Sequence, residues 1–86
     1  MTQKELIMKN EIGLKTSNAA KFVKVAVQYK SSLTIEVNGH KGNGRTLLGI
    51  MSLGVRQGDV LLLTADGPDE KELLEALDKL NESNFE

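Results

Sequence analysis

Lys15, Thr16 and Ser17 stand together where a run of helical periodicity begins, a combination suited to holding an anion. A helix N-terminus presents unpaired backbone N–H groups and the positive end of the macrodipole. To this Lys15 adds a charge, and Thr16 and Ser17 add two hydroxyls, so the segment could bind phosphate or a carboxylate without covalent transfer. The plainer reading is a solvated lysine beside a hydroxyl that caps the helix. Thr46 is a second candidate, since a hydroxyl at a helix cap can be phosphorylated and the added dianion then lies at the favourable end of the dipole. An unmodified N-cap is its structural alternative. Leu47, Leu48 and Met51 lie at i, i+1 and i+4 and share a face, while Ile50 and Leu53 point the other way. This predicts an exposed apolar docking surface, with extra packing as the alternative.

Other signals carry less. Gly13-Leu14-Lys15-Thr16 ends like a phosphate loop but lacks the earlier glycine and the strand-to-loop spacing, so no nucleotide site is expected. His40, the only histidine, has no second histidine nearby and no carboxylate partner in sequence, and reads as an exposed strand residue rather than a metal ligand. The carboxylates of the last helix lie on a polar face without a pocket, which gives no support to paired acid and base chemistry. No cofactor and no metal are expected.

The 86 residues allow one small domain over 1–86. With 40% hydrophobic and 27% charged residues the composition is that of a soluble globular protein, and with 0 cysteines its stability must come from apolar burial. These features suit a reducing cytoplasm. No apolar run approaches the roughly 20 residues of a membrane helix, so no membrane insertion is expected. A net charge of -1, no polybasic run and 3% aromatics argue against nucleic acid as a direct partner.

Alternating hydrophobicity over Met1 to Lys9 puts Leu6 and Met8 on one face and Ile7 on the other, a first strand, and Asn10 to Lys15 follows as a loop. From Thr16 or Ser17 to about Tyr29, the apolar spacing of Ala19, Phe22, Val23, Ala26 and Val27 predicts an amphipathic helix with a hydroxyl cap. Leu33, Ile35 and Val37 alternate with polar residues, and Asn38-Gly39 supplies a tight hairpin into a short third strand. Thr46 caps a short helix that stops at Gly54. Val60-Leu61-Leu62-Leu63 marks a central strand within Asp59 to Ala65, and Asp66-Gly67-Pro68 is a turn. Asp69 with Glu72 has the form of a capping box before the stripe Leu73, Leu74, Leu77 and Leu80, with Glu70, Glu72, Glu75, Asp78 and Lys79 facing water. The order βαββαβα predicts an α+β open-faced sandwich, a four-stranded antiparallel sheet with three helices on one face.

Two segments, Gly13 to Val23 and Asn43 to Asp59, together with this order resemble HPr, the small phosphocarrier of the bacterial sugar phosphotransferase system. The second segment keeps the family's Gly49-Ile50-Met51-Ser52-Leu53-Gly54 run, with Thr46 where the family has a phosphorylatable serine. The first keeps Gly13, Leu14, Ala19, Ala20 and Phe22. The resemblance places the family's phosphohistidine on Lys15, its phosphate-clamping arginine on Ser17 and its helix-starting proline on Asn18. Phosphoryl relay needs an acceptor that is nucleophilic at neutral pH and a good leaving group, as neutral imidazole is. A lysine ammonium, with a reference pKa of about 10.4, is neither, so the carrier reaction is expected to be absent. The resemblance also implies docking through Leu47, Leu48 and Met51 together with the start of the first helix at Ala20, and phosphorylation of Thr46 by an ATP-dependent HPr kinase. The expected function is a regulatory protein-docking module in carbon metabolism, with Enzyme I, HPr kinase or a catabolite-control regulator as partners. The alternatives are a divergent phosphocarrier using another acceptor between Enzyme I and the sugar permease components, and a decoy that occupies Enzyme I without reacting. Some relatives of this kind exchange the first strand between two chains.

Overall fold

The computed structural model describes residues Met1–Glu86 and contains seven elements: β1 (Thr2–Ile7), α1 (Thr16–Ala26), β2 (Ser32–Val37), β3 (His40–Asn43), α2 (Leu47–Met51), β4 (Val60–Asp66) and α3 (Glu70–Glu82). The sheet is antiparallel throughout, in the order β1-β4-β2-β3. The most continuously apolar strand, β4, lies between β1 and β2, as its Val60 to Leu63 run predicts. Alternation decides the faces. Leu6, Leu33, Ile35, Val37, Leu61, Leu63 and Ala65 are buried under the helices, while Ile7 and Val60, cross-strand partners, look out from the open face. Asn38 and Gly39 have φ of 52 and 82, so both turn residues of the β2–β3 hairpin occupy the left-handed region that a primed turn requires.

The helices close the other face. α3 lies over β1 and β4 and against α1, and α2 bridges α1 and β3. Phe22, Ala19 and Ala26 of α1 and Leu73, Leu74 and Leu77 of α3 meet the strand residues in one core, joined by Phe85. Each large apolar side chain buried there contributes about 1.5–3 kcal/mol of transfer free energy. No buried side-chain polar atom lacks a partner, and no helix is long and apolar enough to cross a membrane.

Four local expectations are corrected. First, α1 has no hydroxyl cap. Its N-cap is Lys15, without a side-chain cap bond, and Thr16 follows at a φ of 45. Second, α1 ends at Ala26 rather than near Tyr29. The Arg45 guanidinium donates through Nη1 to the carbonyls of Ala26 (2.9 Å), Tyr29 (2.6 Å) and Ser31 (2.9 Å), a cap from 19 residues downstream that no local pattern shows. Val27, just past the end of the helix, is 50% exposed instead of part of the buried stripe. Third, Asp69 and Glu72 do not form a capping box. The Asp69 carboxylate instead accepts from Lys30 N (2.9 Å), Ser31 N (3.0 Å) and Ser31 Oγ (2.6 Å), and Ser31 Oγ accepts from Asp69 N (3.3 Å). Ser31 is fully buried, so this reciprocal pair fixes the start of β2 to the start of α3. Fourth, Glu70 does not face water. Its carboxylate accepts from Thr2 Oγ1 and Gly67 N and pairs with the amino group of Met1 at 3.0 Å.

Candidate functional site

The loop before α1 is held from three sides, so that Lys15, Thr16 and Ser17 project from a fixed base. Gly13 has a φ of 74, and a Cβ there would stand 2.2 Å from the Val55 carbonyl oxygen, so only glycine fits. Leu14 is buried and its N–H donates to Val55 O at 3.2 Å, which pins the loop to the segment after α2. Asn18 makes the second attachment. Its buried amide donates to Gly13 O and to Asn10 Oδ1, both at 2.9 Å. Asn10 Oδ1 also accepts from Ile12 N at 2.8 Å, and Asn10 Nδ2 donates to Asn84 Oδ1 at 2.8 Å. The third attachment is the segment after α3. Lys21 Nζ donates to the Phe85 carbonyl at 2.7 Å, and Phe85 itself is buried in the core.

This network was not legible in the sequence, where Asn18 looked only like the loss of a helix-starting proline. Its signal is three asparagines separated by 8 and 74 positions in their contacts. Only the fold makes them neighbours. Thr16 at a φ of 45 is a β-branched residue in the left-handed region, a conformation that costs about 1–3 kcal/mol and that a well-anchored loop sustains. Lys15, Thr16 and Ser17 are all exposed.

The second cluster lies on α2 and the neighbouring face of α1. Thr46 is the N-cap of α2, and its Oγ1 accepts from Gly49 N at 3.1 Å, as expected. The hydroxyl is exposed. Ile50 is buried, whereas Leu47, Leu48 and Met51 are 44%, 81% and 46% exposed, so the two faces divide as their spacing predicts. α1 and α2 pack against each other, which brings the helix carrying the exposed Ala20 beside this patch. Ala20, Lys24 and Val27 recur at i, i+4 and i+7 and are all exposed, so α1 adds an exposed stripe in which Val27 is a residue the sequence had assigned to the core. Ile12, also exposed, lies in the loop ahead of Lys15. His40 is exposed on β3, and no cluster of three or more histidine, cysteine, aspartate or glutamate side chains could hold a metal ion.

A family model described as "PTS HPr component phosphorylation site" matches residues 2–83. This chain belongs to the HPr family. The phosphocarrier protein HPr of Xylella fastidiosa (strain 9a5c) is 34% identical over 85 residues, covering 99% of this chain and 96% of the relative. The HPr-like protein Crh of Halalkalibacterium halodurans is 38% identical over 77 residues, covering 90% of this chain and 92% of Crh. Among solved structures, HPr-C-His from Thermoanaerobacter tengcongensis superposes with a TM-score of 0.96 at 42% identity, over 99% of this chain and 96% of that one. The family fold is therefore the four-stranded antiparallel open sheet with three helices seen here. The chain is an HPr-like and Crh-like protein of the phosphotransferase system, a carrier-type protein rather than an enzyme.

Proposed function

We propose that this HPr family member is a regulatory protein-docking module of carbon metabolism whose phosphohistidine site is degenerate. The observation that carries the reading is Lys15. It occupies the exposed N-cap of α1, at the end of the loop anchored by Gly13, Leu14 and Asn18, where the family resemblance puts the phosphoacceptor histidine. The loop is thus held in place without an imidazole at its tip. In place of a covalent acceptor, Lys15, Thr16 and Ser17 offer a charge and two hydroxyls for a non-covalently held anion.

Docking runs through Leu47, Leu48 and Met51 with Ala20 on the adjoining helix, and Thr46 is the regulatory phosphorylation site. A phosphate on Thr46 Oγ1 would join the N-cap of α2 and leave the buried Ile50 face untouched. The partners are cytoplasmic proteins: HPr kinase, a catabolite-control regulator, or Enzyme I bound without transfer. The whole chain acts as one HPr-like domain.

The test is incubation of the purified protein with Enzyme I and phosphoenolpyruvate, and separately with HPr kinase and ATP, read by intact mass and fragment mapping. Phosphate only from the kinase, on Thr46, is the expected result. Phosphate delivered by Enzyme I would overturn the reading and establish a divergent carrier with another acceptor. Binding to Enzyme I with no phosphate from either donor would point to a decoy.

A further inference from the structure

The edge of the sheet carries a polar concavity that runs from the open face to the end of α1 and does not include Lys15. A shallow basin of about 420 Å³ lies over the β2–β3 edge, and its polar lining is Ser32, Thr34, Lys41, Asn43 and Arg45. The register explains the assembly. Thr34 pairs with Asn43 and Glu36 with Lys41, so alternate residues of both strands present side chains to the same face, and Arg45 enters from the loop just beyond β3.

Donors in this basin outnumber acceptors. Asn43 Oδ1 is occupied by Arg45 N at 2.8 Å, which leaves the Asn43 Nδ2 donors free. Arg45 spends Nη1 on the carbonyls of Ala26, Tyr29 and Ser31, which fixes the guanidinium, and Nη2 and Nε make no hydrogen bond within the protein. Lys41 is exposed and Thr34 contributes a hydroxyl. Neither cation makes an ion pair, because the ion pairs of the structure take Met1, Lys4, Lys9 and Lys79 as their cations. Two carboxylates are close in the sheet and do not line the basin itself. Asp66 is paired with Ser32 in register but its carboxylate lies 3.7 Å from the Met1 amine. Glu36, the cross-strand partner of Lys41, lines an adjoining basin that Thr34 and Lys41 also line, so Lys41 stands between the first basin and one carboxylate.

We infer that this basin is a binding site for a phosphate dianion, either free or as a phosphomonoester of a small molecule. Two unpaired cations match the charge of the dianion. The guanidinium fork, ammonium, amide and hydroxyl offer more donors than the two oxygens of a carboxylate can use, whereas a phosphoryl group has three terminal oxygens. The open rim leaves room for the ester substituent. Arg45 is a pre-fixed element of the site, since its orientation is set by the end of α1 before any ligand arrives.

The experiment is an amide NMR titration of the full chain at constant ionic strength, with inorganic phosphate, glycerol 3-phosphate, acetate and chloride in separate arms. Saturable shifts at Ser32 to Thr34 and Lys41 to Arg45 with phosphate or glycerol 3-phosphate, and none with acetate or chloride, are expected. The two phosphate arms then separate the sources: saturation by both means the ester is admitted, saturation by inorganic phosphate alone means that only the free ion is. Lys41→Gln, at an exposed position, should weaken the response about tenfold, as loss of one charge-assisted hydrogen bond does, with the remaining spectrum unchanged. A Thr34→Val variant provides a second, charge-neutral reading and should also weaken it. Shifts that follow ionic strength alone, that survive Lys41→Gln, or that appear only at Lys15 to Ala19 would overturn the inference. The last outcome would leave the anion proposal at the start of α1 standing by itself.

Discussion

Gly49 is the position where helix propensity and packing disagree, and the structure states which one wins. Replacing a helical glycine by alanine stabilises an isolated helix by about 1 kcal/mol. Here a Cβ on Gly49 would stand 2.5 Å from the Asn43 carbonyl oxygen, 2.7 Å from Thr46 Oγ1 and 3.1 Å from Asn43 N. Two of the three obstacles are backbone of the β3 edge, so relief requires α2 to move off the sheet. The reciprocal contact is as tight, since a Cβ on Gly42 would meet the Gly49 carbonyl oxygen at 2.6 Å. Overpacking costs about 1–3 kcal/mol, and displacing Thr46 Oγ1 adds the loss of a cap worth about 1 kcal/mol. Against a propensity gain of about 1 kcal/mol, Gly49→Ala should destabilise the protein by about 2 kcal/mol. For a domain of this size that corresponds to a drop in Tm of about 8–16 °C. The measurement is thermal and denaturant unfolding followed by circular dichroism, with Gly54→Ala as the comparison. Gly54 has a φ of 61 and open space around its Cβ direction, so its substitution carries about 1 kcal/mol of backbone strain and no clash. A Tm for Gly49→Ala equal to or above that of the parent protein would refute the packing argument.

The remaining predictions concern charge and the anchored loop. Hydrogen bonding by Thr2, then by Gly67 and the Met1 amine, lowers the Glu70 carboxyl from its ordinary 4.5 to about 2, and Ser31 followed by the Lys30 amide lowers Asp69. Both carboxyls bind protons less readily folded than unfolded, so each stabilises the fold while ionised and loses that contribution on acidification; for Glu70 the contribution is present above pH 4.5 and lost as the pH falls toward 2. Tm measured across that range should decline, and Glu70→Gln should flatten the decline; an unchanged slope would show that the Thr2 and Gly67 contacts do not favour the ionised form. Asn18→Ala should cost about 1–3 kcal/mol by leaving the buried Gly13 carbonyl without its side-chain donor, and Asn10→Ala about 1 kcal/mol, since its other contacts are exposed and Asn18 Nδ2 keeps Gly13 O. Because they share one hydrogen bond, the double variant should fall short of the sum by at least about 0.5 kcal/mol, and strict additivity in denaturant melts would exclude the network.

Much of the scaffold was determined by the sequence alone. Period-2 alternation in Leu33 to Val37, Asn38-Gly39 with its positive φ values, and the Leu73 to Leu80 stripe specify strand, hairpin and helix through local sterics and burial. The division of α2 into a buried Ile50 and exposed Leu47, Leu48 and Met51 was equally local, because a helix of known phase orders its own faces. Thr46 as a cap follows from the three-residue reach of a hydroxyl. Lys15 could be marked as a candidate by its place in a family pattern, yet nothing in its neighbours revealed how its loop is held.

What only the tertiary structure decided are the contacts whose partners are far apart in the chain. Asp69 has an acidic-cap pattern within its own helix, but Ser31 and Lys30 offer it three donors from the start of β2, and a carboxylate satisfied there does not turn back to cap. Arg45 ends α1 because the fold brings its guanidinium to carbonyls that a local reading left available for another turn of helix. Asn10, Asn18 and Asn84 form one network only when β1, α1 and the segment after α3 converge. Polar groups accept any partner of suitable geometry, and burial selects among partners by position in space, whereas apolar periodicity is written along the chain.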